Sequence, residues 1–440
     1  MEFAVESKMR HFWVAMAGLL LAACAAPEAP GFDTGDVDVL CGSLIDGVAD
    51  APATRRVVSI RAGRIVAVGA APVTPDAPLL DLSDYTCLPG LIDTHVHLAS
   101  RAADSSDMQA IYRRSIADTT AIAEANARTT LDIGFTTVRN VGDYFPSVVR
   151  DIKRRIDAGE LAGPRILTAG PYLTIPAGGG DLVIPGVDAS TIPAEARLGV
   201  ARGPVQFAER AQAAIDAGAD HLKVIASGAV FAFGGVPGAP EMTREEIAAV
   251  VEVGHANGVK VTAHAHSAES IKDAILAGVD SIEHASLADD EAIALAAERS
   301  VAFSMDVYNG TYTAEVGEEL GYPEEFMRKN DETTEAQRVV FEKAYAAGVP
   351  LTYGTDAAVL PHGMNGRQFA IMVGRGMAPM DAIQAATSVA AHELGIADDV
   401  GALEAGRYGD LVAVSGDPLG NIRLLEDIDV VVKGGVVVRK

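Results

Sequence analysis

The sequence predicts an α/β protein: a parallel (β/α)8 barrel of the TIM type, carrying a small β-sandwich domain built from both chain ends. Three observations lead there. Between residues 89 and 400, eight apolar strand-like runs alternate with Ala-rich amphipathic segments; several of those segments close on a glycine; and hairpin-like runs lie on either side, over 36–88 and 401–440.

The eight runs are GLIDTHVHL, FTTVRNVGD, RILTAGPYL, HLKVIASG, KVTAHAHS, SIEHASL, AFSMDVY and PLTYGTDAA. Their near-continuous apolar character suits strands covered on both faces, as in a parallel sheet. Gly218, Gly258, Gly278 and Gly348 stand where a helix ends and the chain needs the left-handed conformation that glycine adopts without strain. An open doubly wound sheet is the alternative, but no GxGxxG follows an early strand and the polar residues sit at several strand ends. Three irregular stretches follow strands, over 171–190, 227–243 and 311–337, and read as loops forming a substrate pocket and lid.

On the flanks, VDVLCGSLIDG, RRVVSIRAGRIVAVG and PLLDLSDYTCLPG precede the barrel, and YGDLVAVSG and IDVVVKGGVVVRK follow it. Their alternation and the Gly-Gly turn read as hairpin strands of one domain. Cys41 and Cys87 both fall there, and either pair as a disulfide or stay as two buried thiols. Residues 1–24 read as an export signal: a basic start at Lys8 and Arg10, an apolar stretch from Phe12 to Ala23, then Cys24. LAAC, Leu21 to Cys24, resembles the bacterial lipobox, whose cysteine is lipidated; an uncleaved hydrophobic anchor is the alternative. Residues 25–35 form a Pro/Gly/Ala tether. The expected location is the periplasm or cell envelope of a bacterium, with a lipid anchor at Cys24.

With 35 basic and 60 acidic residues in 440, the formal charge is −25, which repels nucleic acid and anionic surfaces. Small molecules or peptides remain as partners, with membrane contact only through the anchor. Acidic barrels often assemble, so a homo-oligomer is expected, of a number the sequence does not specify.

LIDTHVHL sets His95 and His97 two apart, on one strand face and about 6–7 Å from each other along the chain. Asp93 aims at the same spot. Two imidazoles beside a carboxylate suit a divalent metal better than a core hydrogen bond does. Lys223, His264, His284 and Asp356 are further polar residues in apolar strands. Each alone reads as a salt-bridged lysine or a hydrogen-bonded core histidine; jointly, strands one, four, five, six and eight bring metal-capable groups to one end of one barrel.

HVH after LPGLID, a lysine on strand four, histidines on strands five and six and an aspartate in GTDA resemble the metal-dependent amidohydrolase superfamily, over essentially the whole chain from Val37. AHAHSAESIKDAILAGVDSIEHAS and LPHGMNGRQFAIMVGRGMAPMDAIQAATSVAA are similar to its imidazolonepropionase-like branch, which contains Xaa-Pro and other dipeptidases and ochratoxin A amidohydrolases. The resemblance implies two zinc ions, His95 and His97 on the more buried and His264 and His284 on the more exposed. It implies Lys223 as a carbamate formed with carbon dioxide, bridging them, and Asp356 as ligand and proton carrier. A carbamate also answers a physical difficulty, since an ammonium between two dications would be untenable. His266 shares the face of His264 and is either behind the ligands or facing substrate.

The implied chemistry is attack on an amide carbon by hydroxide held between the metals, with Asp356 first base and then acid. Ser227 then reads as structural. Dipeptides or N-acyl amino acids with a free carboxylate are the implied substrates, ochratoxin A among them. Cyclic amide opening, deamination or a noncatalytic binding lipoprotein are the competing readings. For the carboxylate, Arg139 and His362 are the candidate anchors, with Tyr172, Ser100 and Tyr308 also near the mouth. The chain departs from many relatives at Gly178–Asp181, which reads GGGD in place of GGHG, and at Ala229 in place of a glycine. Val230, Phe231, Phe233 and Val236 favour a bulky or aromatic substrate group.

Overall fold

The computed structural model describes residues 35–74 and 77–440. The expected export signal, the lipidation site Cys24 and all of the tether except Gly35 lie outside the described residues. Among those described, no helix is long and apolar enough to cross a membrane.

Both chain ends build one seven-stranded sheet. Its strands are β1 (Val37–Leu44), β2 (Ala53–Arg61), β3 (Arg64–Gly69), β4 (Leu79–Pro89), β13 (Leu411–Ser415), β14 (Val430–Lys433) and β15 (Val436–Arg439), in the order β15-β14-β13-β4-β1-β2-β3. The strands of the expected sandwich are hydrogen-bonded in one continuous order. Backbone bonds also tie the two halves of the order together, Gly35 N to Gly434 O at 3.0 Å, Ile65 N to Arg407 O and Gly409 N to Gly63 O at 2.8 Å. The concave side holds a core of its own, with Val39, Val58, Ile60, Leu82, Leu411 and Val432 buried together. Cys41 on β1 and Cys87 on β4 are disulfide-bonded within it.

The eight central strands appear where the sequence predicts them: β5 (Leu91–Val96), β6 (Phe135–Asn140), β7 (Arg165–Thr168), β8 (His221–Ile225), β9 (Lys260–Ser267), β10 (Ser281–Leu287), β11 (Ala302–Ser304) and β12 (Leu351–Thr352). All pair in parallel, as a three-stranded sheet β5-β6-β7 and a five-stranded sheet β12-β11-β10-β9-β8. The two sheets are linked at both edges. Leu173, beyond β7, exchanges bonds with Lys223 and Ile225 of β8, and Tyr353 to Ala357, beyond β12, bond Thr94, His95 and His97 at 2.8 Å. The fold is TIM-barrel-like. Helices cover its outside, and Phe207, Ile247, Ile271, Ile293 and Phe341 are buried in one core with the strands. Gly218, Gly258, Gly278 and Gly348 take φ values of 96°, 71°, 98° and 77°, as the helix ends require.

One expected loop is not a loop. Residues 311–337 belong to two helices, Asn309–Leu320 and Glu324–Ala346, separated by Gly321 at φ 72° and by Pro323. The stretch is polar because the second helix buries only a stripe, including Phe326, Val340 and Phe341, with the rest in solvent or facing the cavity.

The disulfide closes a loop of sequence separation 46. Replacing both cysteines by alanine should lower stability by about 2–4 kcal/mol in urea unfolding. Thiol titration of the unfolded protein should find the Cys41 and Cys87 thiols only after reduction; free thiols beforehand would contradict the pairing.

Candidate active site

At the carboxyl ends of the strands a cavity opens to solvent. Its floor gathers His95 and His97 from β5 and the residue after it, Lys223 from β8, His264 and His266 from β9, His284 from β10 and Asp356 just past β12. The imidazoles nearly touch: ring centroids lie 4.5 Å apart for His264 and His284, 4.8 Å for His266 and His284, and 4.9 Å for His95 and His284. Two sets of donor atoms fall within 4.8 Å of one another, His95–His284–Asp356 and His264–His266–His284. Either could hold a metal ion.

Strand alternation alone does not aim these groups. Glu283 and His284 are neighbours on β10 and should face opposite sides. His284 and Ala285 adopt φ of 70° and 51°, and Asp356 adopts 57°. Such left-handed geometry in non-glycine residues is unfavourable and is held only where surrounding contacts over-determine it. Here it turns both side chains into the cavity.

The imidazoles are fixed through one nitrogen. Nδ1 of His95 meets Glu283 at 2.7 Å, Nδ1 of His284 meets Asp306 at 2.9 Å, and Nδ1 of His266 meets Ser286 at 2.9 Å. His97 directs Nδ1 to Gly142 O at 2.9 Å and to the Tyr172 hydroxyl at 3.0 Å. Each of these rings is left with Nε2 for the cavity, the arrangement in which imidazoles bind metals. The Nε2 atoms of His95 and His97 converge on one Asp356 oxygen, Oδ1, at 3.4 and 3.2 Å. The other, Oδ2, accepts from Asn309 at 3.1 Å, and Asn309 also donates to Asp306 at 2.9 Å. Gln337 donates to Asp306 at 2.7 Å and to the His284 carbonyl at 3.1 Å.

Burial sets the electrostatics. Desolvation and the Lys223 charge oppose a cationic His95, but Asp356 and Glu283 outweigh them and push its pKa up to about 9. Desolvation and the charge of His284 push His266 down to about 3. Lys223 is 2% exposed and its Nζ has no hydrogen-bond partner in the protein. Burial lowers its pKa to about 8, aided by Arg139 and opposed by Glu283, Asp356 and Asp306. An orphaned buried amine among acids and imidazoles is a costly arrangement unless something completes it.

The sequence profile of the amidohydrolase family matches residues 86–438. The chain belongs to the amidohydrolase family. Ochratoxinase of Aspergillus niger is 28% identical over 362 residues, 77% of this chain and 72% of that protein. A Xaa-Pro dipeptidase solved with methionine in its active site is 35% identical and superposes with a TM-score of 0.84 over 92% of this chain and 99% of that one. A prolidase complexed with N-methylphosphonate-L-proline superposes at 0.85 with 26% identity, over 92% and 99% of the two chains. The amidohydrolase is accordingly a hydrolase acting on amide bonds.

Several sequence-predicted positions do line the cavity of this amidohydrolase, namely Ser100, Tyr172, His266, Val230 and Phe231. Others do not. Arg139 lies in the barrel interior, 2% exposed, with Nη2 on Glu283 at 2.6 Å, Nη1 on Glu393 at 2.9 Å and Nε on the Thr94 carbonyl at 2.7 Å. A guanidinium so engaged is not a substrate anchor. His362 is held by Thr130 at 2.8 Å, and Tyr308 packs with Tyr312 and Leu360 while accepting from Arg367 at 3.1 Å; neither lines the cavity. Asp93 turns to the neighbouring strand end, accepting from Thr355 at 2.6 Å and Asn365 at 2.8 Å. Phe233 packs on Phe326 and Val236 is 59% exposed, so neither shapes the pocket. Ser227 is structural, its hydroxyl accepting from His266 N at 2.9 Å.

Sequence reading passes over Glu283, Asp306, Asn309 and Gln337. Glu283 had a signal: a carboxylate beside His284 in an apolar strand. Asp306 follows strand seven as Asp356 follows strand eight. Asn309 and Gln337 carried none, because their roles depend on how two helices fold over the strand ends. Replacing Asn309 with alanine should free Asp356 Oδ2 and cost about 10- to 100-fold in kcat, the worth of a hydrogen bond to a charged group. Steady-state kinetics check this; an unchanged kcat would mean that Asp356 needs no such support.

Proposed function

We propose that this amidohydrolase is a dinuclear zinc enzyme that releases the C-terminal amino acid from dipeptides or N-acyl amino acids bearing a free carboxylate, ochratoxin A included. The observation carrying this reading is the convergence of His95, His97, Lys223, His264, His284 and Asp356 on one cavity floor, with Lys223 Nζ orphaned in their midst. This donor set fits the proposed group. His95, His97 and Asp356 would hold one ion, and His264 and His284 the other. A carbamate on Lys223 would replace an unpartnered cation with an anionic oxygen ligand. When bound, two such ions activate water and polarise the scissile carbonyl.

The chain's own residues do the rest. Asp356 takes the proton from the attacking water and passes it to the leaving nitrogen, while Asn309 donates to its Oδ2 and fixes its plane. Gly142 O can only accept, so the proton of His97 sits on Nδ1 and the Tyr172 oxygen accepts from it as well. That leaves the Tyr172 hydroxyl proton free to donate to the developing carbonyl oxyanion. Tyr144, edge-on to Tyr172 at 5.1 Å, buttresses that ring. Phe231, Val230, Met108 and Ile111 provide apolar wall for a bulky side chain.

We further propose that the enzyme is exported, anchored through Cys24 and assembled as a homo-oligomer. The Cys41–Cys87 bond supports export, since such bonds persist in oxidising compartments.

A panel of Xaa-Pro and Xaa-Arg dipeptides, N-acyl amino acids and ochratoxin A, assayed with wild type and Asp356→Asn, tests the reading. Chelator-sensitive hydrolysis is expected, with kcat lowered by about 100-fold or more in the variant, as for loss of a general acid and base. Equal rates in the two proteins would remove Asp356 from the mechanism. Carbamate formation consumes the neutral amine and releases a proton. Because the metal-free Lys223 pKa is lowered to about 8, the neutral form is the minor species below that pH and grows as pH rises through it. Reconstitution of stripped enzyme with zinc, at constant dissolved carbon dioxide, should therefore be faster at about pH 9 than at about pH 7. A pH-independent rate would speak against a carbamate.

A further inference from the structure

A substrate with a free carboxylate needs a cation near the leaving amino acid, and Arg139 is not available. Of the described residues lining the cavity, the only permanent cation is Arg101. It follows β5 by five residues, in a turn pinned at its backbone. Ser100 N bonds His97 O at 3.3 Å, Arg101 N bonds Asp104 Oδ2 at 3.2 Å, and Asp104 N bonds Arg101 O at 2.8 Å. The main chain of Arg101 is thus tied to the same strand end that carries His95 and His97.

Its side chain is differently placed. It is 52% exposed, with Nε resting on Asp104 Oδ1 at a long 3.3 Å, and neither Nη atom has a partner among the described residues. Asp104 does not use up this charge, because it also pairs with Arg114 at 2.5 Å. Two unpaired Nη groups in a planar fork match the two oxygens of a carboxylate. Met108 and Ile111, on the segment that continues from this turn, line the same cavity and supply apolar surface for the side chain of the residue so held.

We propose that Arg101 receives the free carboxylate of the leaving amino acid and that the preference for substrates ending in a carboxylate rests on it. This deepens the proposed function and rests on that reading of the cavity. Arg101 is bound at its backbone and open at its guanidinium, so a change there alters recognition more than folding.

The test compares zinc-loaded wild type, Arg101→Ala, Arg101→Lys and the double variant Arg101→Ala/Asp104→Asn on N-acetyl-L-phenylalanine and on its carboxamide. The double variant removes the carboxylate that the single variant would uncover. For wild type, the acid should be preferred. In Arg101→Ala and the double variant, KM for the acid should rise about 10- to 100-fold, the range for a hydrogen-bonded ion pair, with kcat little changed and the carboxamide unaffected. Lysine should restore part of the loss. Equal losses on acid and carboxamide, or no loss on the acid, would overturn the assignment. If wild type hydrolyses neither compound, the amide-hydrolase reading for this substrate class fails by itself. Calorimetric binding of the same two compounds still decides the role of Arg101: loss of acid-over-carboxamide discrimination in the variants supports it. Unchanged discrimination, or none in wild type, overturns it.

Discussion

Glu283 is the interaction on which the site depends. It is fully buried in the barrel interior, gives one oxygen to Arg139 and the other to His95, and accepts from Thr262 as well. Burial alone would raise its carboxyl, yet Arg139, His95 and Lys223 hold it well below the usual carboxylate range. The result is an anion fixed below the cavity floor. It orients the His95 ring and favours positive charge on that floor, whether that charge is a proton on the imidazole or a metal. Removing one partner of a buried ion pair costs about 3–5 kcal/mol, because the other charge is left stranded. The polar interior is therefore as much a part of the architecture as its apolar shell.

Above that layer the arrangement is repeated from the other side. Asp306, Asn309 and Gln337 come from the segment after β11, and together they grip His284 and Asp356. These are the positions where the backbone enters left-handed geometry. Strained residues persist where neighbouring contacts over-determine them, and here the clamp and the strain coincide. One histidine and one carboxylate are thus held ready before any ligand arrives, which is how a hydrolytic site avoids reorganisation during reaction.

Much of this was legible in the sequence, and the reasons are physical. The eight strands announced themselves because strands covered on both faces must be apolar, which made each polar interruption conspicuous. His95, His97, Lys223, His264, His284 and Asp356 stood out in that way, and all line the cavity floor. Arg139 was equally conspicuous but misread. A charged residue near a strand end can point up to the mouth or down into the barrel, and only the Glu283 and Glu393 carboxylates decide which. Asp93 failed similarly, because its direction depends on Thr355 across a seam that no local pattern encodes. Residues 311–337 looked irregular since a helix facing solvent on most of its circumference lacks a broad apolar stripe. Asn309 and Gln337 lie on those helices and were passed over with them.

Within the GGGD stretch, Gly179 and Gly180 line the cavity. Asp181 there is paired with Arg197 and caps Ala177, so it builds the loop and does not enter the cavity. A crystal structure of zinc-loaded protein with anomalous data at the zinc edge tests whether six side chains surround a pair of cations. Two peaks are expected, one among His95, His97 and Asp356 and one beside His264 and His284, with density extending beyond Nζ of Lys223. No peak at these side chains, or a lysine whose density ends at Nζ, would contradict that arrangement.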